Sequence, residues 1–90
     1  MRYIIYKKVK YRDDKEYNNY YINFALFTLD ITGATRYKSE IDAVERYQFE
    51  TFYKLKKLEK GQDCKDKDII TVAYIDDECN IISESKYYKI

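Results

Sequence analysis

The sequence predicts an α+β domain: a four-stranded antiparallel sheet, ordered β-β-α-β-β, with one long helix packed on one face. Three observations carry that expectation. Arg2–Tyr11 and Tyr20–Leu29 are rich in β-branched and aromatic residues with traces of period-two alternation, the pattern of strands. Glu40–Lys60 is periodic at helical spacing and bounded by helix signals. Ile69–Ile75 and Ile81–Ile90 flank an acidic turn and read as a closing hairpin. A twisted sheet with one helix across it is the simplest packing of these parts.

In the first strand Tyr3, Ile5, Lys7 and Val9 share one face, and Ile4, Tyr6, Lys8 and Lys10 share the other. The polar run Tyr11–Asn19 reads as the loop of a hairpin. Tyr20–Leu29 carries apolar residues on both faces, as a central strand does. Ser39 is a good N-cap, with Asp42 three positions on in a capping-box-like pair. Gly61 supplies the residue after the helix. Acids at the helix start (Glu40, Asp42, Glu45) and bases at its end (Lys54, Lys56, Lys57, Lys60) suit the macrodipole. At 100° per residue, Ile41, Val44, Gln48, Thr51, Phe52, Leu55 and Leu58 form the expected core stripe, with Tyr47 at its margin. Phe49 and Tyr53 fall away from it, one turn apart, bordered by Arg46, Lys57 and Lys60. In the turn Asp76–Asn80, Cys79 or Asn80 is expected in the left-handed conformation.

Ninety residues make one domain, 1–90, with no room for a second core. The absence of proline and the presence of two glycines leave little sequence for linkers. The net charge is +1, distributed as +3 over residues 1–37, +1 over 38–60 and −3 over 61–90. Such a bipolar chain lacks the field of a nonspecific nucleic-acid binder and is equally unlike an acidic DNA mimic. No apolar run reaches the roughly twenty residues of a membrane span. Met1-Arg2-Tyr3-Ile4-Ile5 runs into a strand pattern rather than a secretory signal. Cys64 and Cys79 are therefore expected as free thiols in a bacterial host's cytoplasm.

Catalysis is not expected. Histidine is absent, and Gly33 and Gly61 stand alone rather than in a phosphate-cradling loop. Two cysteines without histidine make a poor zinc site, and Asp76-Asp77-Glu78 reads as a solvated turn, so neither metal nor cofactor is expected. Binding is more credible. Phe49 and Tyr53, with Arg46 and Lys57 beside them, are the candidate surface for a protein partner or a second copy of the chain. The alternative is single-stranded nucleic acid on the first hairpin. There Lys7, Lys8, Lys10, Tyr11, Arg12, Lys15 and Tyr17 interleave bases with aromatics, although Asp13, Asp14 and Glu16 interrupt the positive field.

Twelve tyrosines, abundant Lys and Ile, and no Trp, Pro or His match the coding bias of an AT-rich genome. The run Asp30-Ile31-Thr32-Gly33-Ala34-Thr35-Arg36-Tyr37-Lys38-Ser39, followed by Glu40, Ala43 and Val44, resembles a recurrent pattern of small phage-encoded proteins. It covers about half the chain together with the opening Tyr3-Ile4-Ile5. The resemblance implies a phage or prophage accessory protein, a class that includes inhibitors of bacterial defence such as anti-CRISPR proteins. A small-molecule sponge for a nucleotide signal is a third reading, and it would need an oligomer to build its pocket.

Overall fold

A computed structural model describes residues Met1–Ile90, apart from the side chain of Lys67. The chain folds as α+β, but the sheet has six strands and the helix is short. The strands are β1 (Arg2–Lys10), β2 (Glu16–Asn23), β3 (Leu26–Thr28), β4 (Leu55–Lys57), β5 (Ile69–Ile75) and β6 (Ile81–Lys89), and the helix is α1 (Glu40–Thr51). All neighbours are antiparallel, in the order β3-β2-β1-β5-β6-β4. No helix among the described residues is long and apolar enough to cross a membrane.

The two extra strands come from two breaks that residue type did not announce. Tyr20–Leu29 is interrupted at Phe24–Ala25, which take φ of 42° and 64° and fold β3 back on β2. Asparagine and glycine are the usual residues where both turn positions need positive φ. The helix ends at Thr51 because Phe52 takes the left-handed conformation (φ 60°, ψ 26°), and its N–H donates to the Gln48 carbonyl. The expected helical stretch beyond it is strand instead. Leu55, Lys56 and Lys57 pair with Lys89, Tyr88 and Tyr87, which satisfies the end of a β6 edge that would otherwise be bare. The first hairpin is also longer than expected: its turn occupies only residues 11–15, and β2 is already formed at Glu16.

The helix start follows the sequence. The Ser39 hydroxyl accepts from the Asp42 N–H at 3.0 Å, a cap worth about 1 kcal/mol. The core face, however, is rotated from the expected stripe. Ala43 and Tyr47 are buried, whereas Ile41 is 68% exposed and Phe52 93%. Beneath α1 lie Ile5, Tyr21, Ile70 and Val72, with Tyr3, Phe27, Leu55 and Tyr87 around them. The opposite sheet face is covered at one end only. There Ile4, Ala73 and Ile75 pack under Ile31, Ala34 and Cys79. Cys79 is the left-handed residue of its turn (φ 64°) and accepts a hydrogen bond from Arg36 Nη2 at 3.2 Å. Both cysteines are free.

Glu40 fastens the helix start to the sheet. The Tyr87 hydroxyl donates to its Oε1 at 3.0 Å, and Lys57 Nζ lies 3.7 Å away. Burial works to raise the Glu40 pKa, but hydrogen bonds from Ser85 and Tyr87 and the Lys57 charge outweigh it and hold the group below its ordinary value of 4.5. A carboxylate depressed on folding stabilises the native state above its unfolded pKa, and that contribution fades as pH falls through the folded one. Urea titrations should therefore find Glu40→Gln less stable than wild type at neutral pH. The gap should close progressively below about pH 4.5. A gap that stayed constant into acid would refute this role.

Candidate functional site

The candidate site forms where α1 meets the β2–β3 turn, and Glu50 assembles it. Its carboxylate accepts the Tyr21 hydroxyl from below and the Phe24 N–H, at 3.1 Å, from the turn. Tyr21 is fully buried and meets Tyr47 and Phe27 edge-on, with centroids at 4.9 and 5.3 Å. Its hydroxyl is pushed up in pKa by burial and by Glu50, so it remains a donor. The position of Glu50 is thus fixed by the core, and the turn is pinned to the helix through it.

What this junction presents to solvent is aromatic. Phe24 is 71% exposed and Phe49 72%, and the fully projecting Phe52 follows one turn later. Two of the three sit on positive-φ backbone, where a side chain other than Gly, Asn or Asp is uncommon. Leu26 and Leu29 extend the apolar surface along the sheet edge. Below Phe49 an open groove of about 860 Å³ runs between the helix and the extended segment before it, lined by Arg36, Tyr37, Lys38, Asp42, Glu45 and Arg46 among others. Tyr37 pairs with Tyr3 through the backbone and forms part of the groove wall. Burial raises its pKa to about 12; Glu50 adds to the rise and Arg46 opposes it. The groove therefore holds charges of both signs around an apolar rim.

The residues singled out in the sequence are divided by the fold. Phe49 and Arg46 lie together on the groove. Tyr53 does not join them. It follows the helix end, and its ring carries Lys89 Nζ at 4.1 Å from the centroid. Lys57 is on β4, engaged with Glu40. In the first hairpin, Lys8 and Lys10 point to the face away from α1, while Tyr17, with the Val9 it pairs with, points to the helix face. The Tyr11 ring lies against Tyr17, tilted by 31° with centroids 5.2 Å apart, so the aromatics and these two bases are on opposite sides. Lys10 is paired with Asp14 at 3.1 Å, and Arg12 and Lys15 are exposed in the turn. Lys8 instead borders a polar depression of about 220 Å³ on the open face with Glu16, Asp66, Glu84 and Lys86. At its floor the Tyr6 hydroxyl donates to Glu84 at 2.7 Å.

Sequence reasoning missed Phe24 and Phe52, which it placed in a strand and in the helix core. No residue-type signal identifies them, because both occupy conformations that their side chains disfavour. Among the described residues, no group of three or more metal-ligating side chains comes together. Comparison with protein-family models, curated proteins and solved structures finds no match to this chain.

The strain at Phe52 is measurable. A left-handed conformation costs an ordinary L-residue about 1–2 kcal/mol, and glycine avoids it at the expense of about 0.5–1 kcal/mol of extra unfolded-state entropy. Phe52→Gly should therefore be more stable than wild type by about 0.5–1 kcal/mol in urea denaturation. A loss of stability would mean that the ring makes contacts that outweigh the backbone cost.

Proposed function

We propose that this chain is a non-catalytic protein-binding module, a phage-encoded inhibitor or modulator of a host defence complex of the anti-CRISPR type, and that it docks through Phe24, Phe49 and Phe52. The carrying observation is that three large apolar rings are held out in solvent, two of them on disfavoured backbone. Burying each such ring against a partner would gain about 1.5–3 kcal/mol, whereas leaving it in water gains the free chain nothing. Strained, exposed aromatics are what a binding hot spot needs, because their rigidity lowers the ordering cost of association. Arg46 and the mixed charges of the groove below Phe49 would supply the polar rim and fix orientation. The phage and defence parts of the reading rest on the Asp30–Ser39 pattern and the residue bias.

Affinity capture of the tagged chain from a low-GC bacterial lysate, treated with nuclease, tests this reading. Wild type should retain a host protein at near-stoichiometric yield, and Phe24→Ala/Phe49→Ala should lose at least tenfold of it. Phe52→Gly should weaken retention while stabilising the fold. Full retention by the double variant would move the interface elsewhere. Self-association of wild type in sedimentation, abolished by the same double variant, would assign the rim to a second copy of the chain instead.

A further inference from the structure

On the helix side of the sheet, alongside α1, two lysines face the same way. Lys7 of β1 shares its face with Ile5, and Lys89 of β6 shares its face with Tyr87. Only β5 separates their strands, and Lys89 lies two residues beyond Tyr87, which is in line with Lys7 through Ile70, so their Cα atoms are about 12 Å apart. Each ammonium sits on an aromatic ring: Lys7 over Phe27 at 4.3 Å and Lys89 over Tyr53 at 4.1 Å. Among the described residues neither makes an ion pair. Burial, and then the charge of Lys89, lower the pKa of Lys7. Two cations held close enough to repel, each braced by a ring and neither neutralised, are an arrangement that an anion relieves.

The same face carries stackable surface next to them. Lys7 is opposite Asn19, and two residues further along the same strand pair Val9 is opposite Tyr17, whose ring lies tilted against Tyr11. The Tyr11 hydroxyl donates to Asn19, which fixes the pair beside Lys7. The carboxylates of the adjoining turn are already engaged, Asp13 by the Tyr17 hydroxyl and Asp14 by Lys10. Phosphate recognised by ammonium groups, with a base laid on an aromatic platform, is nucleotide chemistry.

We propose that Lys7 and Lys89 hold a phosphate of a nucleotide ligand whose base stacks on the Tyr11–Tyr17 pair, the phosphate coming from a single strand or a free nucleotide. This site is distinct from the Phe24–Phe49 rim and does not depend on the protein-binding reading. Lys7 belonged to the basic hairpin surface expected from the sequence, and Lys89 did not. The fold brings them together from opposite ends of the chain.

Fluorescence anisotropy of labelled oligothymidylate at low salt tests the site, with unlabelled oligothymidylate, thymidine monophosphate and inorganic phosphate as competitors. Wild type should bind, and Lys89→Gln should weaken binding about three- to tenfold. The same variant should lower the slope of log affinity against log salt by about 0.7, the value for one single-strand phosphate contact. Lys89→Arg should keep both affinity and slope, and Lys56→Gln, on the opposite face, should leave both unchanged. Tyr17→Ala should weaken oligothymidylate without changing the salt slope. Competition by the monophosphate at concentrations matching the oligomer would assign the source to a free nucleotide; competition by the oligomer alone would assign it to a strand. The proposal is overturned if wild type fails to bind at low salt. It is equally overturned if Lys7→Gln and Lys89→Gln, shown folded by their melting curves, both bind like wild type, or if inorganic phosphate competes as well as the nucleotides.

Discussion

The architecture depends on Tyr21, which lies fully buried beneath the helix and hands its hydroxyl to Glu50. A phenol inside a core must find a partner, because an unmet buried polar group costs about 1–3 kcal/mol. The partner here is a carboxylate on α1, and the same carboxylate also receives the Phe24 amide. One buried side chain therefore fixes the rotation of the helix on the sheet and the position of the β2–β3 turn. Tyr47 and Phe27, packed edge-on against the Tyr21 ring, fill the space on either side.

That constraint explains which parts of the fold were legible in the sequence. Ser39 as a cap and the hairpin at Asp76–Asn80 depend on local chemistry, and local chemistry is written in residue types. The orientation of α1 is not. A hydropathy count treats Glu50 as a solvent-facing residue and swings the apparent core stripe toward Ile41 and Phe52. With Glu50 accepting from Tyr21, the sheet-facing line becomes the buried Ala43 and Tyr47 followed by the half-buried Glu50, and Ile41 is turned outward. A carboxylate that accepts from a distant tyrosine cannot be recognised in a window of the helix alone.

The missed strands have a different cause. Leu55-Lys56-Lys57-Leu58 sets its leucines three apart, a helical spacing that a strand would send to opposite faces, and lysine does not oppose the helix. Pairing with β6 decides the matter, with Leu58 N–H donating to Lys86 and Ile90 N–H to the Lys54 carbonyl at 2.8 and 3.1 Å. These bonds join segments some thirty residues apart and outweigh local propensity at Phe52; at the Phe24–Ala25 turn the Glu50 carboxylate, accepting the Phe24 N–H, does the same. Phe49 of the candidate rim was legible as an apolar residue off the core stripe, but Phe24 and Phe52 were not, for the same reason. Aromatics on positive φ are selected against locally, so only the tertiary frame reveals that they project.

The exposed surfaces follow from the mismatch between one short helix and a wide sheet. Glu40 touches Tyr87 of β6 and Glu50 touches Tyr21 of β2, so α1 crosses the strands rather than running along them. Twelve residues span about 18 Å, against about 24 Å for the width of six strands. A helix laid crosswise covers a band of the sheet and leaves the strand ends beyond it bare. On one side of that band lies the groove that runs up to Phe49; on the other lie Lys7, Lys89 and the paired tyrosines Tyr11 and Tyr17. A longer helix continuing through Lys60 would have lacked the Phe52 corner that exposes the rim and brings Tyr53 over Lys89. The left-handed turn at Phe52 is therefore the point at which backbone strain is exchanged for two accessible surfaces.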